Sequence, residues 1–208
     1  MLYSSAVYPS KDASLEQAQS HKLDLICQQV DLQPGETVIE IGTGWGAFAI
    51  HAATHYDCHV TTTTISDEQH AFVAEKITQL GLEDKITLLK QDYRLLEGSY
   101  DKLVSIEMIE AVGHEYLPSF FKKCNDLLKD SGAMLIQAIT IADQRYQHYL
   151  KNSDFIQQYI FPGGCLPCID EMNKQIKSQS DMVVHSINDI GVHYARTLAD
   201  WRTRFIAS

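Results

Sequence analysis

Glu40-Ile-Gly42-Thr-Gly44-Trp-Gly46 is where this sequence first offers chemistry. Three glycines alternate directly after a short β-branched run, 37–41, and just before a helix-like stretch, 47–55. Glycines let the backbone approach a ligand closely, and the helix that follows presents unpaired N–H groups. A dinucleotide loop would read G-x-G-x-x-G, with an acid about 20 residues later on the ribose hydroxyls. Here the spacing is G-x-G-x-G, and the next strand ends in Thr61-Thr62-Thr63-Thr64, with no acid. The acid stands instead at Glu40, immediately before the first glycine. There it can accept from a methionyl ammonium group or, through water, from a ribose. Asp92, after the third strand, is placed to accept from an adenine amino group. The pattern fits S-adenosylmethionine (SAM) better than NAD.

Such a loop works at the carboxyl end of the first strand of an open α/β sheet. Strands are predicted at 37–41, 59–63, 86–89, 103–106 and 133–139. Between them, Ser14 with Gln17 and Ser66 with Gln69 read as capping boxes that open helices. Gly81 ends the second of these, and Pro118 suits the first turn of a helix over 116–128. Strands separated by helices of this length imply a parallel sheet covered on both faces. The expected fold is therefore α/β, a doubly wound, mainly parallel, Rossmann-like sheet in a single domain, 1–208. Its parts are a SAM-binding core (1–140), an aromatic-rich insertion on the substrate side (141–181) and a C-terminal segment (182–208). That last segment is predicted to hold a strand, 182–187, and a helix, 198–207.

The formal net charge of −10 argues against nucleic acid as a partner and gives no general attraction to anionic membranes. A chain 45% hydrophobic and 21% charged is ordinary for a soluble globular protein. No apolar run approaches the roughly 20 residues of a membrane span, and the first residues carry no basic stretch leading into an apolar one. A cytoplasmic location is expected, with peripheral membrane contact and homo-oligomerisation left open. Cys27, Cys58, Cys124, Cys165 and Cys168 read as free thiols, the last two forming a lone C-x-x-C.

A family resemblance emerges from the order of several motifs. These are TyrSerSerAla (3–6), LeuGlnProGly (32–35), GluIleGlyThrGlyTrpGly (40–46), ThrIleSerAspGluGln (64–69) and GlnAspTyrArg (91–94), followed by ValSerIleGluMetIleGluAlaValGly (104–113), TyrIlePheProGlyGlyCysLeuPro (159–167) and TyrAlaArgThrLeuAlaAspTrp (194–201). Together they resemble the cyclopropane fatty acid synthases, a family that includes the mycolic acid cyclopropane synthases and related fatty acyl methyltransferases. The resemblance runs over nearly the whole chain. It implies that SAM is contacted by Tyr3, Ser4, Gly42, Gly44, Gly46, Thr64, Gln69, Asp92, Tyr93 and Ile106. It also implies transfer of the SAM methyl group to a carbon of an unsaturated fatty acyl chain, on a phospholipid.

The same resemblance implies that Glu110, Tyr194, the backbone of Ile139 and two further positions together hold a bicarbonate ion as base. Those two positions are Ser5, where the synthases usually carry cysteine, and Gln137, where they usually carry histidine. A hydroxyl and an amide can both bond an anion, but neither has the donor strength or titration of what it replaces. Weak bicarbonate dependence is therefore expected. The stretches 107–110 and 137–146 look more like a less studied branch of the family. His114 and His193 lie near the proposed site, either as catalytic groups or as surface residues. Tyr146, Tyr149, Phe155, Tyr159 and Phe161 either line an acyl channel or pack a lid. Methyltransferases of this fold usually add a final antiparallel strand between the strands here predicted at 133–139 and 182–187. Its absence, and the greater length of the resembling synthases, give the expectation that the chain is a fragment. Two other readings stay beside this one: a methyltransferase for a polar small molecule, and a SAM-binding protein without activity.

Overall fold

A computed structural model of the chain describes residues 2–207. Its elements follow in the order α1 (Leu15–Gln29), β1 (Thr37–Ile41), α2 (Ala47–His55), β2 (His59–Thr64), α3 (Asp67–Leu80), β3 (Ile86–Lys90) and β4 (Tyr100–Ile106). Then come α4 (Leu117–Leu127), β5 (Leu128–Gln137), α5 (Asp143–Tyr149), α6 (Phe155–Tyr159), α7 (Ile169–Gln179) and α8 (Gly191–Ala207).

The strand β1 sits at the centre because it is apolar on both faces. Side chains alternate along a strand, so such a run needs cover on each side. Val38 joins Val60 and Val104 in one layer, packed on Leu23 and Ile26 of α1 and Phe48 and Ala52 of α2. Ile39 and Ile41 join Leu103 in the other, packed on Phe120, Phe121, Cys124 and Leu127 of α4. All pairings are parallel, in the order β3-β2-β1-β4-β5. The doubly wound sheet expected from the sequence is the one observed. The chain winds outward from β1 in opposite directions, so a crevice opens at the carboxyl ends of β1 and β4.

Several local expectations change. The helix α1 has its full capping box: Gln17 N–H donates to Ser14 Oγ at 3.2 Å, and Ser14 N–H donates to Gln17 Oε1 at 2.8 Å. At α3 only half of the box forms. Gln69 N–H reaches Ser66 Oγ, but the Gln69 side chain turns away to Thr64 and Tyr3. The last strand, β5, begins at Leu128, directly after α4, rather than at 133. Leu128 pairs with Tyr100 and Ala133 with Lys102, so 129–132 bulge out of the ladder.

The predicted strand 182–187 is not a strand; residues 182–190 are neither helix nor strand. Val183 and Ile187 are 88% and 60% exposed. Their β-branched character is only a preference for a pleated, half-buried surface, and no ladder neighbour supplies one. Among the described residues β5 is therefore the edge of the sheet. The final helix, in turn, starts at Gly191 rather than 198. The helix is held by the N-terminal segment: Ala6 N–H donates to Thr197 Oγ1 (3.1 Å) and Tyr8 N–H to His193 Nδ1 (3.1 Å) in its extra turns, and Tyr8 O–H to Asp200 (2.7 Å) further on. The Arg196 guanidinium lies 3.8 Å above the Tyr8 ring.

In the insertion, Tyr146, Tyr149 and Cys168 form a small buried cluster, while Met172 and Ile176 of α7 pack against the α4 layer. The Tyr146 hydroxyl also meets His114 Nδ1 at 2.9 Å. Phe155, Tyr159 and Phe161, by contrast, are exposed. The five cysteines are free thiols. No helix among the described residues is long and apolar enough to cross a membrane.

Candidate active site

A cavity opens where the glycine loop leaves β1. Tyr3, Ser4, Glu40, Gly42, Gly44, Ile106 and Glu107 all line it. Gly44 has φ +54°, and a Cβ there would meet nothing nearer than the Tyr3 ring at 3.7 Å. Its open side therefore faces the cavity, and glycine keeps that space free. Behind the loop, Gly46 takes the left-handed conformation at the start of α2.

Glu40 is 2% exposed and accepts a hydrogen bond from Thr62 Oγ1 at 2.6 Å. Burial disfavours its charged form and pushes its pKa up to about 8, against the pull of the Thr62 hydroxyl. A cationic group brought to this wall would reverse that penalty. On the other side, Thr64 Oγ1 donates to Gln69 Oε1 (2.8 Å) and Gln69 Nε2 donates to Tyr3 Oη (3.3 Å). Three residues expected to hold one ligand thus form one hydrogen-bonded chain.

Asp92 and Tyr93 stand apart from this cavity. The Asp92 carboxylate takes the Arg94 guanidinium in a fork, which holds its pKa below the ordinary value. The Tyr93 ring packs edge-on against Phe120, 5.6 Å between centroids.

A second cluster lies beyond the carboxyl ends of β4 and β5. Glu110 Oε1 accepts the Ile139 N–H at 2.5 Å, and its other oxygen is buried without a partner. Burial raises the Glu110 pKa to about 7, opposed by the Ile139 bond and raised further by the nearby charge of Glu107. The half-buried Tyr194, delivered by α8, has its hydroxyl pKa raised by burial and then by both carboxylates, Glu107 and Glu110. Ser5 and Gln137 join the same group through Glu107. Its Oε1 accepts from Ser5 N–H and from Gln137 Nε2, each at 2.8 Å. Gln137 also donates to the Ser5 carbonyl at 3.3 Å. All five residues expected to do the chemistry are gathered here.

Two residues in this region were not singled out from the sequence. Glu107 touches both the cavity and the second cluster. Lys22 is 1% exposed, donates to Ser4 Oγ at 2.6 Å, and has its pKa lowered by burial to about 8, partly countered by Glu107. A lysine in an amphipathic helix reads as solvated, and nothing local marks this one as buried.

The pattern of the mycolic acid cyclopropane synthetase family matches residues 1–208. The chain belongs to that family. It is 36% identical over 208 residues to a cyclopropane-fatty-acyl-phospholipid synthase of Escherichia coli, covering 100% of this chain and 52% of the relative. It is 35% identical to a tuberculostearic acid methyltransferase of Mycobacterium tuberculosis over 92% of this chain and 45% of that one. The chain thus spans about half the length of these curated relatives. Among solved structures, a mycolic acid cyclopropane synthase complexed with SAH and CTAB superposes with TM-score 0.90 at 30% identity, covering 99% of this chain and 75% of that one. A cyclopropane synthase of Mycobacterium tuberculosis gives TM-score 0.87 at 31% identity, over 96% and 73%.

Proposed function

We propose that this member of the cyclopropane synthetase family transfers the methyl group of SAM to a carbon of an unsaturated fatty acyl chain. The observation that carries this reading is the junction of the two clusters. A glycine-lined cavity suited to a nucleoside with a cationic tail shares Glu107 with a half-buried cluster of Glu110 and Tyr194. When bound, SAM supplies an electrophilic methyl group on a positively charged sulfur.

The buried, uncharged Glu40 wall suits the ammonium end of that ligand. Gly44 keeps backbone space open beside Tyr3, Gly42 lets Met108 pack close behind the loop, and Tyr3 on the cavity wall is held by Gln69, itself bonded to Thr64. An alkene is a weak nucleophile, and methylating it leaves positive charge on the acyl chain. Carboxylates fixed in a site that excludes water stabilise such charge where it develops. Glu107, Glu110 and the Tyr194 ring provide that negative surface.

The acyl substrate is proposed to sit on a phospholipid, with the enzyme cytoplasmic and peripheral at the membrane. The exposed cluster Phe155, Ile156, Tyr159, Ile160 and Phe161 supports membrane contact, because apolar groups of this size gain by entering a lipid interface. Residues 1–140 would then be the SAM-binding core and 141–181 the substrate side.

The test is an assay with methyl-labelled SAM and unsaturated phospholipid vesicles. Label in the lipid fraction is the expected result. Label only in aqueous products would favour a polar small-molecule methyltransferase, and SAM binding without label in either would favour a binding protein.

A further inference from the structure

Glu107 is the best-held carboxylate in the site, although nothing in its local sequence marks it out. It lines the glycine-loop cavity and is also part of the Glu110–Tyr194 cluster. Two N–H donors fix one oxygen: the Ser5 backbone, 102 residues away in the chain, and the Gln137 amide. The Glu107 N–H donates in turn to the Gln137 carbonyl at 2.7 Å, so backbone and side chain are both tied to the end of β5. Its φ of +48° is a left-handed conformation that side chains other than those of glycine, asparagine and aspartate rarely take. A strained backbone persists where the surroundings over-determine it, and such positions cluster at functional sites.

We infer that Glu107 is the proton acceptor of the reaction, a base built into the chain in place of a dissolved anion. This rests on the proposed methyl transfer. The alkene takes the methyl carbon, the bond to sulfur breaks with its electron pair staying on sulfur, and the neighbouring acyl carbon is left positive. The Glu107 carboxylate then removes a proton from the transferred methyl group. The C–H electron pair closes a three-membered ring on the cationic carbon. After a hydride shift along the chain it instead forms a methylidene double bond. In both cases the base, the methyl group and the donor cavity must meet at one place, and Glu107 stands there. The protonated acid returns its proton to water between turnovers.

The donors that the family resemblance reserves for bicarbonate are already taken. Ser5 and Gln137 bond Glu107, and the Ile139 amide bonds Glu110. An exogenous anion would have to displace a covalently attached one that has a very high local concentration.

The experiment compares the intact gene product with Glu107→Gln and Glu107→Gly, with bicarbonate stripped and then restored. The wild type should turn over equally in both conditions. Glu107→Gln fills the same space without a base, so turnover should fall about 10²-fold or more while SAH affinity stays within about threefold. Bicarbonate should not restore it. Glu107→Gly relaxes the backbone and opens a hole, so bicarbonate or formate should recover part of the activity. Binding of ¹³C-labelled bicarbonate, read by NMR, should be seen with Glu107→Gly and not with the wild type. A wild type that requires or binds bicarbonate would overturn the assignment. So would Glu107→Gln with normal turnover, or equal losses of turnover and SAH binding. A wild type that binds SAH but methylates no acyl lipid would end the functional reading and the base role with it. The NMR comparison would still decide what fills the anion position.

Discussion

Glu110 holds the backbone two residues beyond the end of β5: its Oε1 accepts the Ile139 N–H at 2.5 Å while Oε2 lies buried without a hydrogen-bond partner. One oxygen is spent on architecture and the other is free for a substrate charge. Glu110→Gln can keep the contact to Ile139 through its carbonyl oxygen but loses the charge. Methyl transfer should fall about 10²-fold with SAM affinity nearly unchanged, because the interaction is made mainly in the transition state. Kinetics beside calorimetry checks this, and equal losses in both would make Glu110 a cofactor ligand instead.

Gly44 tests the cavity. Valine there would point its branched side chain into the space beside Tyr3 and would also strain a φ of +54°. Calorimetry should show SAM and SAH binding to the wild type and not to Gly44→Val, with circular dichroism unchanged. NAD should bind neither, and NAD binding with SAM ignored would remove the cofactor assignment.

Glu40 couples that binding to protons. Its pKa of about 8 in the free protein means that it is mostly protonated at neutral pH. An ammonium group beside it would stabilise the carboxylate and lower that value. Binding below pH 8 should therefore release a proton, and affinity should climb with pH and level off above about 8. Calorimetry in buffers of different ionisation heat measures the release, which Glu40→Gln should abolish. The same group affects folding. Its folded pKa lies above the ordinary 4.5, so its contribution is fully present below 4.5 and is lost as pH rises through about 8. Denaturation midpoints of the ligand-free protein should fall over that window, and less so in Glu40→Gln.

Thr197 tests the attachment of α8. It is fully buried, and its Oγ1 accepts from Ala6 N–H while donating to the His193 carbonyl at 2.9 Å. Valine keeps the shape but strands the Ala6 N–H, at a cost of about 1–3 kcal/mol. Urea denaturation should show that loss. Methyl transfer should fall further than stability alone explains, since Tyr194 rides on the same helix. Unchanged turnover would separate α8 from the chemistry.

What was legible in the sequence is what local chain chemistry dictates. The strand β1 announces itself by apolar residues on both faces, and the loop after it by glycines at positions that need positive φ. The first capping box was readable because Ser14 and Gln17 lie three residues apart and bond each other, so both partners are local. The second was misread because Gln69 is claimed by Thr64 and Tyr3, the latter 66 residues away in the chain. The strand at 182–187 failed for a related reason: a ladder needs a neighbour, and β-branched residues cannot show that none is there among the described residues. Glu107 and Lys22 were hidden because their partners lie on other elements. Only the folded sheet brings Ser5, Gln137 and Ser4 to them.

The backbone at Glu107 has a consequence at the level of the gene. Each glutamate codon is one nucleotide from a glycine codon, and glycine holds a φ of +48° without strain. A single base change would therefore vacate the base position and leave a folded enzyme behind. On the proposed base role, an enzyme with glutamate here would modify its lipid whatever the carbon dioxide around the cell. With glycine it would follow that supply, so one codon decides whether the membrane's composition is tied to the surrounding gas.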